Sequence, residues 1–170
     1  MTTTQSNANK SSATTALTST AARRLLRDLK EIEDCAADLH GIAASPLEDD
    51  MFEWHANILF GDDPLHLRLY FSESYPSEPP RLVCSTRLPH PNIQEPTDGG
   101  FAVCLDMLEP IDPKKSRAYA GWSSGMTVLS ILVQLQSFLA DESMQYMAHG
   151  TVEQARTHMR RFDCWCGHLG

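Results

Sequence analysis

The chain has 170 residues, with 14 Lys and Arg against 22 Asp and Glu, which gives a net charge of −8 at pH 7. This length is typical of one domain with tails. Phosphate binding requires clustered Lys and Arg, so the acidic balance argues against nucleic acid as the main partner. No apolar run reaches the roughly 20 residues of a membrane span, so no membrane partner is expected either.

The cysteines indicate the compartment. Five of them lie far apart in the sequence, at Cys35, Cys84, Cys104, Cys164 and Cys166. An odd and widely spaced set is not a disulfide framework, and it favours a reducing compartment, the cytoplasm or the nucleus.

Composition divides the chain into three parts. Residues 1–20 contain eleven Ser or Thr and no aromatic residue, and such a segment cannot bury enough apolar surface to offset its ordering entropy. We therefore expect a disordered tail over 1–20, a core domain over 21–160 and a short tail with Cys and His over 161–170.

The first predicted element is an amphipathic helix over residues 21–39, with Thr20 as its N-cap and Gly41 as the stop signal after it. Apolar residues recur there at spacings of three and four, as one face of a helix requires, at Leu25, Leu26, Leu29, Ile32, Ala36 and Leu39. The basic side chains are expected on the solvent side: Arg23, Arg24, Arg27 and Lys30.

Strands follow the helix. Residues 52–60 and 65–71 alternate between apolar and other side chains, and a turn over 61–64 joins them, which predicts an antiparallel hairpin. Residues 81–86 are predicted as one more strand. A long irregular stretch covers 87–124, an apolar helical pattern then predicts a buried helix from Gly125 to Leu139, and 142–160 can form a weaker last helix. This order is typical of an α+β fold.

The irregular stretch holds the most distinctive residues. His90-Pro91-Asn92 and Cys104-Leu105-Asp106 both lie there between turn residues. Because long loops inside a compact domain are usually functional, this one is the candidate site. A Cys taken alone is more often a small buried hydrophobe, and a loop Asn is more often a turn residue.

The combination of motifs resembles the ubiquitin-conjugating enzyme family. The resemblance runs from about Arg23 to Glu142 and includes Met51-Phe52-Glu53-Trp54, Tyr75-Pro76 with Pro79-Pro80, His90-Pro91-Asn92-Ile93, Val103 to Leu108 and Gly121-Trp122-Ser123. It implies an N-terminal helix, a four-stranded antiparallel meander, a long active-site segment, a buried crossover helix and a C-terminal helix. It also implies ubiquitin or a related modifier, an activating enzyme, a ligase and a substrate protein as partners, and no cofactor.

The family carries its modifier as a thioester on one cysteine, whose position Cys104 matches. The resemblance assigns Asn92 to stabilising the oxyanion of the transfer step, and a purely structural role that braces the loop stays open. His90 and Pro91 are expected to be structural. Asp106 would lie on the same side as Cys104 if the segment is extended, and Asp141 matches an acidic position near the site; local hydrogen bonding is the alternative for Asp106.

Partner surfaces follow from the same resemblance. Family members meet the activating enzyme and ligases through the first helix, which places Arg23, Arg24 and Arg27 there, although a solvated helix face explains the same residues. In many family members, two loops that face the ligase carry apolar anchor residues. This chain has Ser77, Glu78, Ser124 and Gly125 at those places, which predicts weak or different ligase recognition. Residues 109–120 look inserted before Trp122, either shaping the lysine's approach or forming a solvated lid.

The C-terminal tail suggests zinc only weakly. Cys164 and Cys166 are one residue apart, His168 follows, and an obvious fourth ligand is missing, although His158 could be recruited. We therefore predict no metal.

Two other functions remain open from the sequence. The main alternative is a catalytically weak or inactive variant that binds ubiquitin or a partner, although such variants usually lose the Cys or the His-Pro-Asn triplet. A Cys-His hydrolase would need the His90 ring within about 3–4 Å of the Cys104 sulfur.

Overall fold

The computed structural model describes residues 19–90, 92–93, 96–110, 121–140 and 149–164, with side chains of the last helix described from Val152 onward. The predicted disordered segment over 1–18 therefore lies outside the described residues. The element order is α1 (Thr20–Cys35), β1 (Ile42–Pro46), β2 (Glu53–Phe60), β3 (Asp63–Tyr70), β4 (Arg81–Cys84), β5 (Pro96–Thr97), β6 (Gly100–Ala102), a 3-10 helix (Asp106–Leu108), α2 (Val128–Ala140) and α3 (His149–Arg161). This is the predicted α+β class.

Helix α1 is shorter than the sequence pattern indicates. Its N-cap is Ser19, not Thr20, because the Ser19 hydroxyl accepts a hydrogen bond from the N–H of Ala22 at 3.0 Å. The helix ends at Cys35, four residues before the predicted end at Leu39. Tighter turns follow, and Gly41 at φ 71° reverses the chain into β1.

Within the described ranges the sheet has six strands in the order β1-β2-β3-β4-β6-β5, and every neighbouring pair is antiparallel. The predicted four-stranded meander corresponds to β1–β4. A short hairpin, β5–β6, extends the sheet inside the segment that was predicted to be irregular. Gly100 makes this possible, because a Cβ there would collide with the carbonyl oxygen of Cys84 in β4.

The core lies on one face of this sheet. Trp54, Ala56 and Ile58 of β2 are paired with Leu69, Leu67 and Leu65 of β3, so all six share a face, and all are buried. Helix α2 packs on this face through Val128, Ile131, Leu132, Leu135 and Leu139.

A capping box fixes the start of α2 at Val128, three residues after the predicted start. The N–H of Ser130 donates to the Thr127 hydroxyl at 3.2 Å, and the N–H of Thr127 donates to the Ser130 hydroxyl at 2.8 Å. The capping box therefore positions the buried helix relative to the loop before it, which carries Ser124.

Helix α3 packs against β3 through the buried side chains of Ala155 and Met159. Arg160 donates from Nε and Nη2 to the two carboxylate oxygens of Asp63, at 2.7 and 3.2 Å. None of the described helices combines the length and apolar character needed to cross a bilayer.

Candidate active site

Cys104 follows the last strand of the sheet and lies at the surface. Side-chain exposure alternates here, since Val103 and Leu105 are buried while Cys104 and Asp106 are exposed. The N–H of Val103 also donates to the Leu82 carbonyl oxygen at 3.1 Å. The apolar neighbours thus anchor the segment and leave the Cys104 thiol and the Asp106 carboxylate facing solvent on the same side.

The other described thiols differ from Cys104. Cys35 is half-buried, whereas Cys84 and Cys164 are buried. Burial raises the pKa of the Cys84 thiol to about 12, and its Sγ lies 3.0 Å from the Thr86 carbonyl oxygen. Because the thiolate is the nucleophile, Cys84 is inert at neutral pH. Among the described cysteines, Cys104 is the one in the exposed class.

Asn92 is bound directly to the cysteine backbone. The N–H of Cys104 donates to the Asn92 carbonyl oxygen at 2.9 Å, and Nδ2 of Asn92 donates to the Cys104 carbonyl oxygen at 2.6 Å. This pair braces the active-site segment. A side-chain amide has two N–H donors, so one bracing bond leaves a second donor beside the cysteine.

His90 is held by the same loop. Its Nδ1 accepts a hydrogen bond from the N–H of Asn92 at 3.1 Å, and the N–H of Ile93 donates to the His90 carbonyl oxygen at 3.0 Å. The imidazole and the Phe138 ring make a T-shaped contact, with centroids 4.8 Å apart. The Nδ1 lone pair of His90 is therefore occupied by a backbone N–H, and the neutral ring carries its proton on Nε2. Neither nitrogen is then available as a general base for Cys104, which disfavours a Cys-His hydrolase and supports a structural role for His90. Pro91 lies outside the described residues.

The residues that flank the predicted insertion are hydrogen-bonded to each other. The N–H of Trp122 donates to the Glu109 carbonyl oxygen at 2.7 Å, which joins the two ends of the segment five residues after Cys104 in the chain. Indole Nε1 of Trp122 donates to the Pro76 carbonyl oxygen, also at 2.7 Å. Residues 111–120 and Asp141 lie outside the described residues, so their predicted roles stay predictions.

Asp28, which the sequence interpretation did not single out, joins the three segments predicted to meet partners. It is 1% exposed. Its carboxylate accepts from Nε of Arg24 at 2.8 Å, from the Tyr75 hydroxyl at 2.6 Å and from the N–H of Val128 at 3.4 Å. Burial and the Asp28 carboxylate raise the pKa of the Tyr75 hydroxyl, which keeps it a donor. The sequence signal is that Asp28 occupies the apolar face of α1, three residues after Leu25 and four before Ile32.

Arg24 differs from its basic neighbours. Arg23 and Arg27 are exposed as predicted, but the Arg24 side chain is only 12% exposed. Its guanidinium donates to the carbonyl oxygens of Ser124 and Met126 and lies over the Tyr75 ring. Arg24 was therefore wrongly expected on the solvent side. Ser77, Glu78 and Ser124 are exposed on the loops that Asp28 and Arg24 hold beside α1.

The comparison with sequence families decides the identity. The sequence model described as ubiquitin-conjugating enzyme matches residues 24–163. The chain belongs to the ubiquitin-conjugating enzyme family. It is 33% identical over 135 residues to ubiquitin-conjugating enzyme E2 2 of Debaryomyces hansenii, covering 76% of this chain and 71% of the relative. It is 32% identical over 153 residues to ubiquitin-conjugating enzyme E2 1 of Caenorhabditis elegans, covering 85% and 70%.

Solved structures agree with this family. A structure described as a novel ubiquitin-conjugating enzyme superimposes with a TM-score of 0.61 at 26% identity, covering 86% of this chain and 97% of that one. Family membership makes the chain a transferase of the ubiquitin-conjugating type, with ubiquitin, an activating enzyme and a ligase as its partners in general terms. The predicted family and fold are confirmed.

The environment of His90 predicts a pH dependence of stability. Burial lowers the pKa of His90 below the ordinary value of 6.5, because the apolar pocket disfavours the charged imidazole. In the unfolded chain His90 takes up a proton near pH 6.5, while in the folded enzyme it stays neutral to a lower pH. Its contribution is therefore complete above pH 6.5 and is lost as the pH falls.

The variant His90→Asn tests this expectation, because an Asn carbonyl oxygen can still accept from the Asn92 N–H but does not titrate. Denaturant unfolding between pH 7.5 and 5 should show a smaller loss of stability in the variant than in the wild type. An NMR titration of the wild type should place the His90 midpoint below 6.5, and a midpoint at or above that value would contradict the argument.

Proposed function

We propose that this enzyme carries ubiquitin, or a ubiquitin-like modifier, as a thioester on Cys104 and passes it to a lysine or to a ligase cysteine. The observation that carries the proposal is the exposed thiol of Cys104 on a segment braced at both backbone groups by Asn92. A carrier of a whole protein needs a nucleophile that a large partner can reach, and Cys104 meets that requirement.

Loading is an exchange between two thioesters. The Cys104 thiolate attacks the carbonyl carbon of the modifier's thioester on the activating enzyme, the new S–C bond forms, and the old S–C bond breaks to release the activating enzyme's cysteine as a thiolate. The bonds formed and broken are alike, so the exchange costs little free energy. Because ATP is consumed at the activating enzyme, the reaction on this chain needs no cofactor.

Discharge is attack by an amine. The lysine nitrogen adds to the thioester carbonyl, loses a proton to solvent or a nearby base, and the C–S bond breaks to return Cys104 as a thiolate. Charge develops on the carbonyl oxygen in the tetrahedral intermediate, and a neutral amide donor held nearby stabilises it. Asn92 supports this role, because its side-chain amide is fixed within hydrogen-bond distance of the Cys104 backbone. The Asp106 carboxylate is exposed on the same side of the segment as the thiol, and we infer that it can orient the incoming amine.

The experiment is an adduct assay. Incubation with activating enzyme, ATP and each of several modifiers should give one adduct that a thiol reductant cleaves. Cys104→Ser should abolish it or replace it with an oxyester that resists the reductant. Cys35→Ser is the matched control, because Cys35 is half-buried in α1 away from the braced segment, and it should form the adduct at the wild-type level. No adduct with any modifier, or a reducible adduct on Cys104→Ser, would overturn the proposal.

A further inference from the structure

A second cluster of reactive side chains lies on the face of the sheet opposite the core. His55 of β2 and His66 of β3 alternate with the core-facing residues of their strands. Cys164, from the segment after α3, reaches the same place. All three are buried: His55 is 1% exposed, His66 2% and Cys164 6%. None of them belongs to the Cys104 site.

The three side chains converge on one point. Nδ1 of His55 lies 3.1 Å from Nε2 of His66 and 3.2 Å from Sγ of Cys164, and the three ligand atoms all lie within 4.8 Å of one another. Zinc bonds of about 2.0 Å to nitrogen and 2.3 Å to sulfur give tetrahedral edges of about 3.3 Å between two nitrogens and 3.6 Å between nitrogen and sulfur. The spacing of His55 to its two neighbours is within a few tenths of an ångström of those edges.

The outer partners of the two imidazoles fix which nitrogens point inward. Nε2 of His55 lies 3.2 Å from the Glu53 carboxylate, and Nδ1 of His66 lies 2.9 Å from Oδ1 of Asn57. Both partners offer acceptor oxygens, which favours the tautomers with the protons on these outer nitrogens. The two inner nitrogens, 3.1 Å apart, can then both direct their lone pairs at one cation. Histidine ligands of metals characteristically donate their other N–H to such a carboxylate or carbonyl oxygen.

We propose that His55 Nδ1, His66 Nε2 and Cys164 Sγ bind a Zn²⁺ ion as its three protein ligands, with the fourth tetrahedral position left to a water molecule. Two imidazoles and a thiolate are borderline and soft ligands, which suit zinc and exclude calcium and magnesium, whose ligands are oxygens. Binding converts the Cys164 thiol to a thiolate and releases its proton to solvent. The ion, the thiolate and the neutral imidazoles carry one net positive charge, which the Glu53 carboxylate balances through His55.

The zinc ligands explain why the tail alone did not identify the site. His158, the residue considered as an extra ligand, has its Nδ1 2.8 Å from the Thr86 hydroxyl instead. Two of the ligands come from strands about a hundred residues earlier in the chain. The Phe162 ring stacks on His66 with centroids 5.2 Å apart, which brings the segment after α3 onto this face. The proposed ion would fasten the end of the described chain to the middle of the sheet.

Metal content and a cobalt spectrum test the site in the full chain. Enzyme purified without a metal-affinity tag should contain about one zinc per chain by mass spectrometry. After chelation, added Co²⁺ should give a thiolate-to-cobalt absorption band in the near ultraviolet. Both signals should be lost in Cys164→Ser and kept in Cys35→Ser, and Cys104→Ser should keep them too because the active-site thiol is not a ligand.

A second variant keeps the test decisive if Cys164→Ser does not fold. Asn57→Ala removes the outer partner of His66 and leaves the three proposed ligands in place, and loss of such a partner typically weakens metal affinity by about 10–100-fold. Chelation should lower the melting temperature of the wild type and of Cys35→Ser. A wild type without zinc, cobalt band or chelator effect would mean that a proton alone bridges the two imidazoles, and it would overturn the proposal. Full zinc content in Cys164→Ser would overturn it as well.

Discussion

Asp28→Asn is expected to lower the free energy of unfolding by about 3–5 kcal/mol, the cost typical of removing one partner from a buried ion pair. The Asp28 and Arg24 side chains are 2% and 12% exposed, so the substitution leaves the Arg24 guanidinium largely desolvated without its counter-ion. An Asn oxygen can still accept from the Tyr75 hydroxyl, and therefore the loss reports mainly on the charge. Urea unfolding at neutral pH measures it.

Helix α1 supplies the matched control. Lys30 and Asp34 form a pair at the same i, i+4 spacing with N–O distance 3.1 Å, but their side chains are 71% and 64% exposed. Asp34→Asn should cost only about 0.3–0.5 kcal/mol, as exposed helix pairs do. Equal losses in the two variants would show that burial does not strengthen the Asp28 pair.

The same substitution links stability to the partner surface. Asp28 holds Tyr75 at the start of the loop that carries Ser77 and Glu78, and Arg24 holds the carbonyl oxygen of Ser124. Ser77, Glu78 and Ser124 come from separate parts of the chain, and the buried Asp28 network, together with the hydrogen bond from Trp122 to Pro76, joins the loops that carry them. Their predicted contact with a ligase or activating enzyme depends on that network as well as on the side chains themselves.

The periodic parts of the fold could be predicted from the sequence, because periods of 3.6 and 2 directly report a buried face. The alternation in β2 and β3 and the apolar pattern of α2 are examples. The hairpin β5–β6 was missed because strands of two and three residues are too short to show a period. The N-cap prediction of Thr20 was wrong by one residue, because two adjacent hydroxyls are equally good caps in sequence and only the folded backbone decides which one reaches the Ala22 N–H.

The candidate functional residues also fall into those that the sequence can indicate and those that it cannot. Cys104, Asn92 and His90 could be singled out as candidates because they lie in short motifs, whose residues are close in sequence. Asp28 and the cluster of His55, His66 and Cys164 were not found as sites, since they are assembled by long-range contacts. A single Asp on an apolar helix face, or a single His in an alternating strand, is a weak signal until the fold brings its partners to it.

Asn92→Ala should slow discharge of the thioester to free lysine by about 10²–10³-fold, the usual cost of removing one oxyanion donor. The physical reason is that the amide is needed most when charge develops on the carbonyl oxygen. Loading from the activating enzyme should fall by a smaller factor. Loading exchanges one thioester for another, and groups of the activating enzyme can also stabilise the charge on the carbonyl oxygen in that step. Single-turnover assays that start from the preformed thioester, with lysine varied, separate kcat from KM, and the loss should appear in kcat.

The bracing role of Asn92 gives a different pattern. If the amide only braces the loop through the Cys104 carbonyl oxygen, loading and discharge should weaken together, because both need the thiol in place. His90→Ala is the companion variant, since it removes the acceptor of the Asn92 N–H and so disturbs the same loop, yet leaves the side-chain amide of Asn92 intact. Under the oxyanion role its effect on discharge should stay within about tenfold, well short of the loss of an oxyanion donor. Equal losses in the two variants, or equal losses in loading and discharge for Asn92→Ala, would assign Asn92 to structure alone.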